Sequence, residues 1–137
     1  MTTIQYLESA EAITEDDLRG FFVGWPNPPT PATHLRILRN SQHVVIATEA
    51  NSGTVVGFIT AISDGVLSAY IPFLEVLPSH QGEGIGSELT RRMLERLKDL
   101  YMVDLLCDQG VQPFYERFNL VKAHGMMIRN YDRQSGT

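Results

Sequence analysis

Apolar residues recur every fourth position at Ile85, Leu89, Met93 and Leu97, with Arg91, Arg92, Glu95 and Lys98 between them. That spacing predicts an amphipathic helix with one buried stripe. Upstream the period changes. The β-branched run at 43–50, the turn residues Asn51-Ser52-Gly53 and the run at 54–62 predict two antiparallel strands. Asp64-Gly65 is a hairpin signal leading into a further strand at 70–77. A short first strand is expected at Ile4–Leu7. Thr14-Glu15-Asp16-Asp17 has the form of a capping box and predicts a helix that buries Leu18, Phe21 and Phe22 and stops at Gly24 and Pro26. The stretch Trp25-Pro26-Asn27-Pro28-Pro29-Thr30-Pro31 holds four of the seven prolines and reads as a stiff loop. Thr30 before Pro31 then starts a second helix running to Asn40. Beyond the long helix, residues 102–107 predict a short buried strand, 112–118 a short helix and 120–129 a last strand. The tail from Tyr131 is expected to fray.

Mostly antiparallel strands with a βαβ crossover after the fourth predict an α+β fold, one mixed sheet flanked by helices in a single domain at 1–137. Pro72 inside the fourth strand suggests an interrupted ladder, because proline cannot donate to a neighbour. Eleven basic residues against sixteen acidic ones give a net charge of −5. No global field therefore draws in nucleic acid or an anionic membrane. The one cysteine, Cys107, excludes an internal disulfide and suits a reducing, cytoplasmic setting. No apolar run approaches a membrane span and no signal segment opens the chain. His34, His43, His80 and His124 are scattered without ligand spacing, so no metal is expected.

The chemistry begins between the fourth strand and the long helix, at Gln81-Gly82-Glu83-Gly84-Ile85-Gly86. Glycines there leave the N–H groups of the first helical turn unshielded, which with the helix dipole makes an anion site suited to a pyrophosphate. A tight turn needing glycine only for its backbone angles is the plainer alternative. No Gly-Lys-Ser/Thr follows, which excludes a P-loop. A dinucleotide fingerprint would need glycine where Leu89 stands.

Gln-x-x-Gly-x-Gly after a strand ending Leu-x-Val-x-Pro resembles the coenzyme A loop of the GNAT superfamily of N-acetyltransferases. Pro113-Phe114-Tyr115-Glu116-Arg117-Phe118 is similar to that family's Phe-Tyr-Glu-Lys-Phe-Gly-Phe segment. The resemblance spans roughly residues 43–129 and looks most like bacterial-type members without an assigned substrate. It implies a sheet splayed between the fourth and fifth strands, with acetyl-CoA as cosubstrate lying in the wedge. By motif position the Leu74 N–H would serve the thioester carbonyl and Val76 would pair with the pantetheine arm. The N–H groups of Gln81, Gly82, Glu83, Gly84, Ile85, Gly86 and Ser87 would hold the pyrophosphate. Tyr115 falls on the tyrosine that protonates the departing thiolate; on its own it could equally be a core residue between Phe114 and Phe118.

The implied reaction is direct attack of a primary amine in a ternary complex, the acceptor being a small-molecule amine or a protein amino group. A homodimer is left open. Where some relatives carry a Glu or His base, this chain has Tyr70. Glu75 is the nearest acid, but strand alternation sets it on the face opposite Tyr70, Leu74 and Val76 unless a bulge intervenes. The want of a plain base sustains a rival reading, a catalytically inactive coenzyme A-binding regulatory or interaction module. Asp108 stands where many relatives have asparagine, which puts that coenzyme A contact in doubt. Asp64 reads as a turn former and Cys107 as a small buried residue. Trp25, Phe22 and Tyr70 are candidates for an acceptor pocket, although a tryptophan beside a proline loop could instead plug the core.

Overall fold

The computed structural model describes residues 3–137. Its sheet runs in the order β1 (Ile4–Leu7), β2 (His43–Glu49), β3 (Val55–Ser63), β4 (Ser68–Val76), β5 (Met102–Asp104). The first four strands are antiparallel and β5 lies parallel to β4. A parallel neighbour needs a crossover, and α2 (Ile85–Arg96) provides it. α1 (Pro31–Asn40) covers the opposite face. Leu18, Phe21, Phe22, Leu38, Ile46 and Phe58 fill the α1 layer. Val45, Val56, Ile59, Ile71, Leu89, Met93 and Leu97 fill the α2 layer. Burial on both faces explains why β2 and β3 read as continuous apolar runs rather than alternating ones.

Local signals set the element ends. The Thr30 hydroxyl accepts from the Thr33 N–H at 3.2 Å and Pro31 takes the first position of α1. Asp64 accepts from the N–H groups of Val66, Leu67 and Ser68 and closes the β3–β4 hairpin, the turn role expected of it. α3 (Gln112–Glu116) is a short helix close to the expected span. Among the described residues no helix is long and apolar enough to cross a membrane.

Two features of β4 position the site. Its register passes from Thr60 opposite Phe73 to Ile62 opposite Tyr70, so Ile71 and Pro72 together oppose Ala61 alone. This is a β-bulge, and its extra residue reverses the alternation. Ala69 and Ile71 face α2 before it; Leu74 and Val76 face α2 after it. Phe73 and Glu75 therefore turn to the α1 face, the face of Tyr70. Secondly, β5 pairs with β4 only from Ser68 to Tyr70, leaving the rest of β4 without a neighbour on that side. The sheet is splayed there.

Elsewhere the expectations need correction. Residues 14–22 form no helix. The box survives, with Asp17 accepting from the Thr14 N–H at 2.9 Å, but only the 3-10 turn Glu15–Asp17 follows. Gly20 at φ +86° and Phe22 at φ +60° break helical geometry while Leu18, Phe21 and Phe22 are still buried. Trp25 is no core plug, being 37% exposed. The fifth strand stops at Asp104 and is largely exposed instead of buried. Residues 120–129 join no ladder, and 121–130 are exposed throughout. The tail does not fray: Tyr131–Arg133 makes a 3-10 turn, and the Gln134 side chain accepts from the Asn27 N–H at 2.9 Å.

Candidate functional site

Backbone polarity along the open edge of β4 follows from one hydrogen bond. The Leu77 N–H donates to the Val56 carbonyl at 2.8 Å, which makes Gly57 and Val76 a non-hydrogen-bonded pair. Val76, and by alternation Leu74, thus aim their N–H and C=O groups away from β3 and into the splay. The Val76 carbonyl accepts from Gln81 Nε2 at 3.0 Å, which ties the glycine loop back to the strand. The Leu74 and Val76 N–H groups are left without ladder partners. Buried backbone donors rarely stay unpaired, so such an edge suits a ligand that carries amide acceptors.

The start of α2 abuts this edge. Gly82 and Gly84 sit at φ +81° and +83° with nothing within 4 Å of where a side chain would begin. Gly84 is the N-cap and supplies no capping side chain, so the N–H groups of the first turn stay open. A side chain at Gly86 would meet Val76 Cγ2 at 3.7 Å and Phe114 Cζ at 3.8 Å, which fixes how closely helix, strand and α3 converge. Arg117 donates to Ser87 Oγ at 2.6 Å, its guanidinium 5.2 Å from the Phe114 ring centre and 5.4 Å from that of Phe118. Glu88, the acid of the first turn, is held by Arg91 and Arg92, each at 2.6 Å. Those guanidiniums lower its pKa to about 2. Glu83 is exposed in the loop. The helix start therefore combines open donors with the Arg117 guanidinium at Ser87, a setting for an anion, whereas Arg91 and Arg92 pair with Glu88 and Arg92 lies over Tyr6 on β1.

Tyr115 is half-buried on α3, its ring edge-on to Phe114 at 5.0 Å. Burial, and then the neighbouring Cys107, push its pKa up to about 12, so the hydroxyl keeps its proton throughout the neutral range. Cys107 is likewise half-buried and raised, chiefly by burial.

Across the sheet lies an aromatic wall. Phe22, Trp25 and Phe73 have ring centres 4.9 Å (22–25), 6.0 Å (22–73) and 6.4 Å (25–73) apart. Glu75 joins them through the bulge, its carboxylate accepting from the Phe22 N–H at 2.9 Å and the Val23 N–H at 3.2 Å. Positive φ is uncommon for a residue as bulky as Phe22, and these two charge-assisted bonds offset its cost. Tyr70 stands before the bulge, opposite Ile62 and Asp104, apart from this cluster. Beneath the wall His34 is buried against Phe21, Phe22 and Phe58, its Nε2 without a partner. Burial lowers its pKa to about 4.

The structure thus gathers Leu74, Val76 and the loop 81–87 at one corner, and Phe22, Trp25 and Glu75 at another. Sequence reasoning passed over Phe73 and Arg117. Phe73 reaches the wall only because of the bulge, for which Pro72 was the signal. Arg117 occupies the lysine position of the motif, a cation in the right place to be noticed. Among the described residues no three His, Cys, Asp or Glu side chains gather to hold a metal ion. Two open clefts of about 430 and 380 Å³ flank Glu8 and Glu11 beside β1, away from both corners.

Residues 10–120 match the family model described as the Acetyltransferase (GNAT) family. A candidate acetyltransferase from Deinococcus radiodurans R1, known from its crystal structure, is 50% identical with a TM-score of 0.94, covering 100% of this chain and 99% of that one. A GNAT-family acetyltransferase of Streptococcus pneumoniae TIGR4 is 29% identical with a TM-score of 0.73, covering 95% of this chain and 98% of that one. The chloroplastic GCN5-related N-acetyltransferase 3 of Arabidopsis thaliana is 40% identical over 77 residues, which are 55% of this chain. The chain spans only 32% of that plant relative, and 59% of an uncharacterized N-acetyltransferase of Porphyra purpurea.

Proposed function

The chain belongs to the acetyltransferase (GNAT) family, and from that premise we propose that it moves an acetyl group from acetyl-CoA to a primary amine by direct attack, both substrates being bound together. One observation carries the reading. The unpaired N–H groups of Leu74 and Val76 and the uncapped, glycine-bare start of α2 meet at a single corner. A strand edge suits an amide-bearing arm and a bare helix start suits a pyrophosphate, and coenzyme A has both.

Bound there, acetyl-CoA supplies an acyl group already activated as a thioester. The Leu74 N–H would donate to the thioester oxygen, and the Val76 N–H would orient the pantetheine arm. N–H groups from Gln81 to Ser87 would hold the pyrophosphate, with Arg117 adding positive charge beside Ser87. Tyr115, protonated at neutral pH, would donate to the sulfur as negative charge builds on it. With its pKa near 12 it is a weaker acid than a thiol of pKa about 8.5, so hydrogen bonding precedes any proton transfer. The acceptor, a small amine or a protein amino group, would enter along Phe22, Trp25 and Phe73. Each Glu75 oxygen keeps a lone pair beyond its backbone bond, enough to orient the amine and take its proton, directly or through water.

A thermal-shift titration and single-turnover thiol release test this. Acetyl-CoA at a hundred times its Kd should add about 2.7 kcal/mol of stability. Tyr115→Phe should slow turnover on the order of 100-fold while changing acetyl-CoA affinity by about 1 kcal/mol at most. No stabilisation at millimolar acetyl-CoA sinks the reading. Stabilisation without thiol release, across a panel of primary amines and N-terminal peptides, identifies a coenzyme A-binding module instead.

A further inference from the structure

The segment just ahead of the glycine loop is tied down by side-chain bonds that acetyl transfer itself does not use. His80 ends the 3-10 turn Pro78–His80 and is half-buried, with both ring nitrogens engaged. Its Nε2 lies 3.1 Å from Glu49 Oε1, and its Nδ1 lies 2.8 Å from Ser79 Oγ. A carboxylate only accepts, so Nε2 carries a proton and donates to Glu49. In the neutral ring Nδ1 is then the acceptor, and the Ser79 hydroxyl donates to it. Together the two bonds fix the tautomer and the orientation of the ring.

Glu49 is a firm partner. It closes β2, where its N–H donates to the Thr54 carbonyl at 2.9 Å and its carbonyl accepts from the Gly53 N–H at 2.8 Å. The His80 bond therefore fastens the entry of the loop onto the β2–β3 hairpin. Beside it the His80 N–H donates to the Leu77 carbonyl at 2.9 Å, and Gln81 Nε2 holds the Val76 carbonyl. Beyond Gln81 such ties stop. Gly82 and Gly84 adopt positive φ and have no atom within 4 Å of where a side chain would begin. Glycine loses more conformational freedom on being ordered than any other residue. A loop of this kind is held from its ends. Ile85, 3% exposed at the start of α2, holds one end; His80 holds the other.

We propose that His80 is a positioning residue for the pyrophosphate site, setting the glycine loop through Glu49 so that its N–H groups converge on the anion. The proposal rests on the acetyl-CoA reading and adds to it a pair of residues that act through the loop. Ordering the loop beforehand removes a cost that the ligand would otherwise meet on binding. The His80 and Glu49 side chains are 15% and 29% exposed. A partly exposed ion pair contributes little to global stability, so this one should show itself in affinity rather than in folding.

Calorimetric titration with acetyl-CoA, run beside urea unfolding, tests this. His80→Ala and Glu49→Ala should each raise Kd about tenfold, and the double variant should lose no more than either alone. His80→Gln, which keeps an N–H donor for Glu49, should stay within about twofold of the wild type. Each variant should keep the wild-type urea midpoint. An unchanged Kd in His80→Ala, additive losses in the double variant, or a His80→Gln as weak as His80→Ala would each overturn the proposal. So would a urea midpoint that falls in step with affinity, the pair then serving the fold. A wild type that binds no acetyl-CoA would bring down the acetyl-transfer reading and this proposal together. Normal wild-type binding beside unaltered variants would bring down this proposal alone.

Discussion

The two walls of the cleft are built in opposite ways. The β4–α2 wall stands on a sheet and helix whose inner side chains are sealed, with Val45, Val56, Ile59, Leu89 and Met93 all at 0% exposure. The facing wall, residues 102–118, contains no fully buried side chain, and the buried core of the described residues ends at Leu97. One wall holds its donors in place before any ligand arrives. The other has no sealed core of its own to hold it. Such a division lets a cleft bind from a prepared surface and close by ordering the opposite one.

Core truncation should expose the difference most strongly. Leu89→Ala empties a sealed site and should cost about 2–5 kcal/mol, read by urea unfolding. Leu106→Ala, at a position 43% exposed, should cost less than about 1 kcal/mol. Equal costs would mean that the two walls share one cooperative core.

A pH titration probes the sealed side from its other layer. His34 is buried with its pKa lowered from 6.5 to about 4. Above pH 6.5 it is neutral in both states and its contribution to stability is complete. As pH falls toward 4 the unfolded chain takes up the proton first, so stability is lost over that window and levels off below it. At about 1.4 kcal/mol per pKa unit the loss is about 3 kcal/mol. Glu88 loses its contribution from 4.5 down to about 2 and so meets only the foot of this window, while His43, lowered by burial and by Arg96, adds to it. The His34 share is read as the difference between the His34→Phe variant and the wild type. His34→Phe should flatten the slope between pH 6.5 and 4; an unchanged slope would place the titration elsewhere.

Ligand binding should couple the walls. Acetyl-CoA should slow hydrogen exchange in 102–118 more than in β2 to β4, because only the former has order to gain. Gly84→Asp, which sets a carboxylate at the open helix start, should weaken acetyl-CoA by about tenfold or more through like charge and lose that protection. Circular dichroism must first show the variant folded, since Gly84 has positive φ. An unchanged Kd would mean that the loop holds no phosphate.

The same division governs what the sequence could reveal. α1, α2 and β2 to β4 were legible because their residues answer to a core: a four-residue stripe, β-branched runs, a Thr-Pro cap. Leu18, Phe21 and Phe22 also carry a helical stripe, yet they reach the core from a loop. Gly20 breaks the geometry, and Glu75, 53 residues from Phe22, binds the N–H that a helix would have used. No local pattern announces so distant a partner. The strand expected at 120–129 does not form: its β-branched and apolar residues suggested one, but no ladder takes it up, and Gly125 merely lies against Leu106. At the site, the glycine loop was visible as spacing. The aromatic wall was hidden, because one extra residue at Pro72 turns Phe73 and Glu75 to the other face.

The smallest expected effect gives the sharpest comparison, because two substitutions carry the same local penalty on different walls. Thr30 caps α1 through its bond to the Thr33 N–H, and Thr30→Ala should cost about 1 kcal/mol. Asn119 ends α3 at φ +69°, its N–H bonded to the Glu116 carbonyl at 3.1 Å. Asn tolerates the left-handed region and alanine does not, so Asn119→Ala should also cost roughly 1 kcal/mol where it sits. α1 buries Leu35 and Leu38 in the core, so its penalty should appear in full in global urea unfolding. If the 102–118 wall opens on its own first, the Asn119 penalty falls on that local step instead. Global stability would then drop by well under about 0.5 kcal/mol, while amides of 112–118 exchange about fivefold faster, the factor that 1 kcal/mol represents. Saturating acetyl-CoA should tie the wall to the core and bring the Asn119 cost back into the global transition. A full 1 kcal/mol global loss without ligand would show that the facing wall is already part of the cooperative fold.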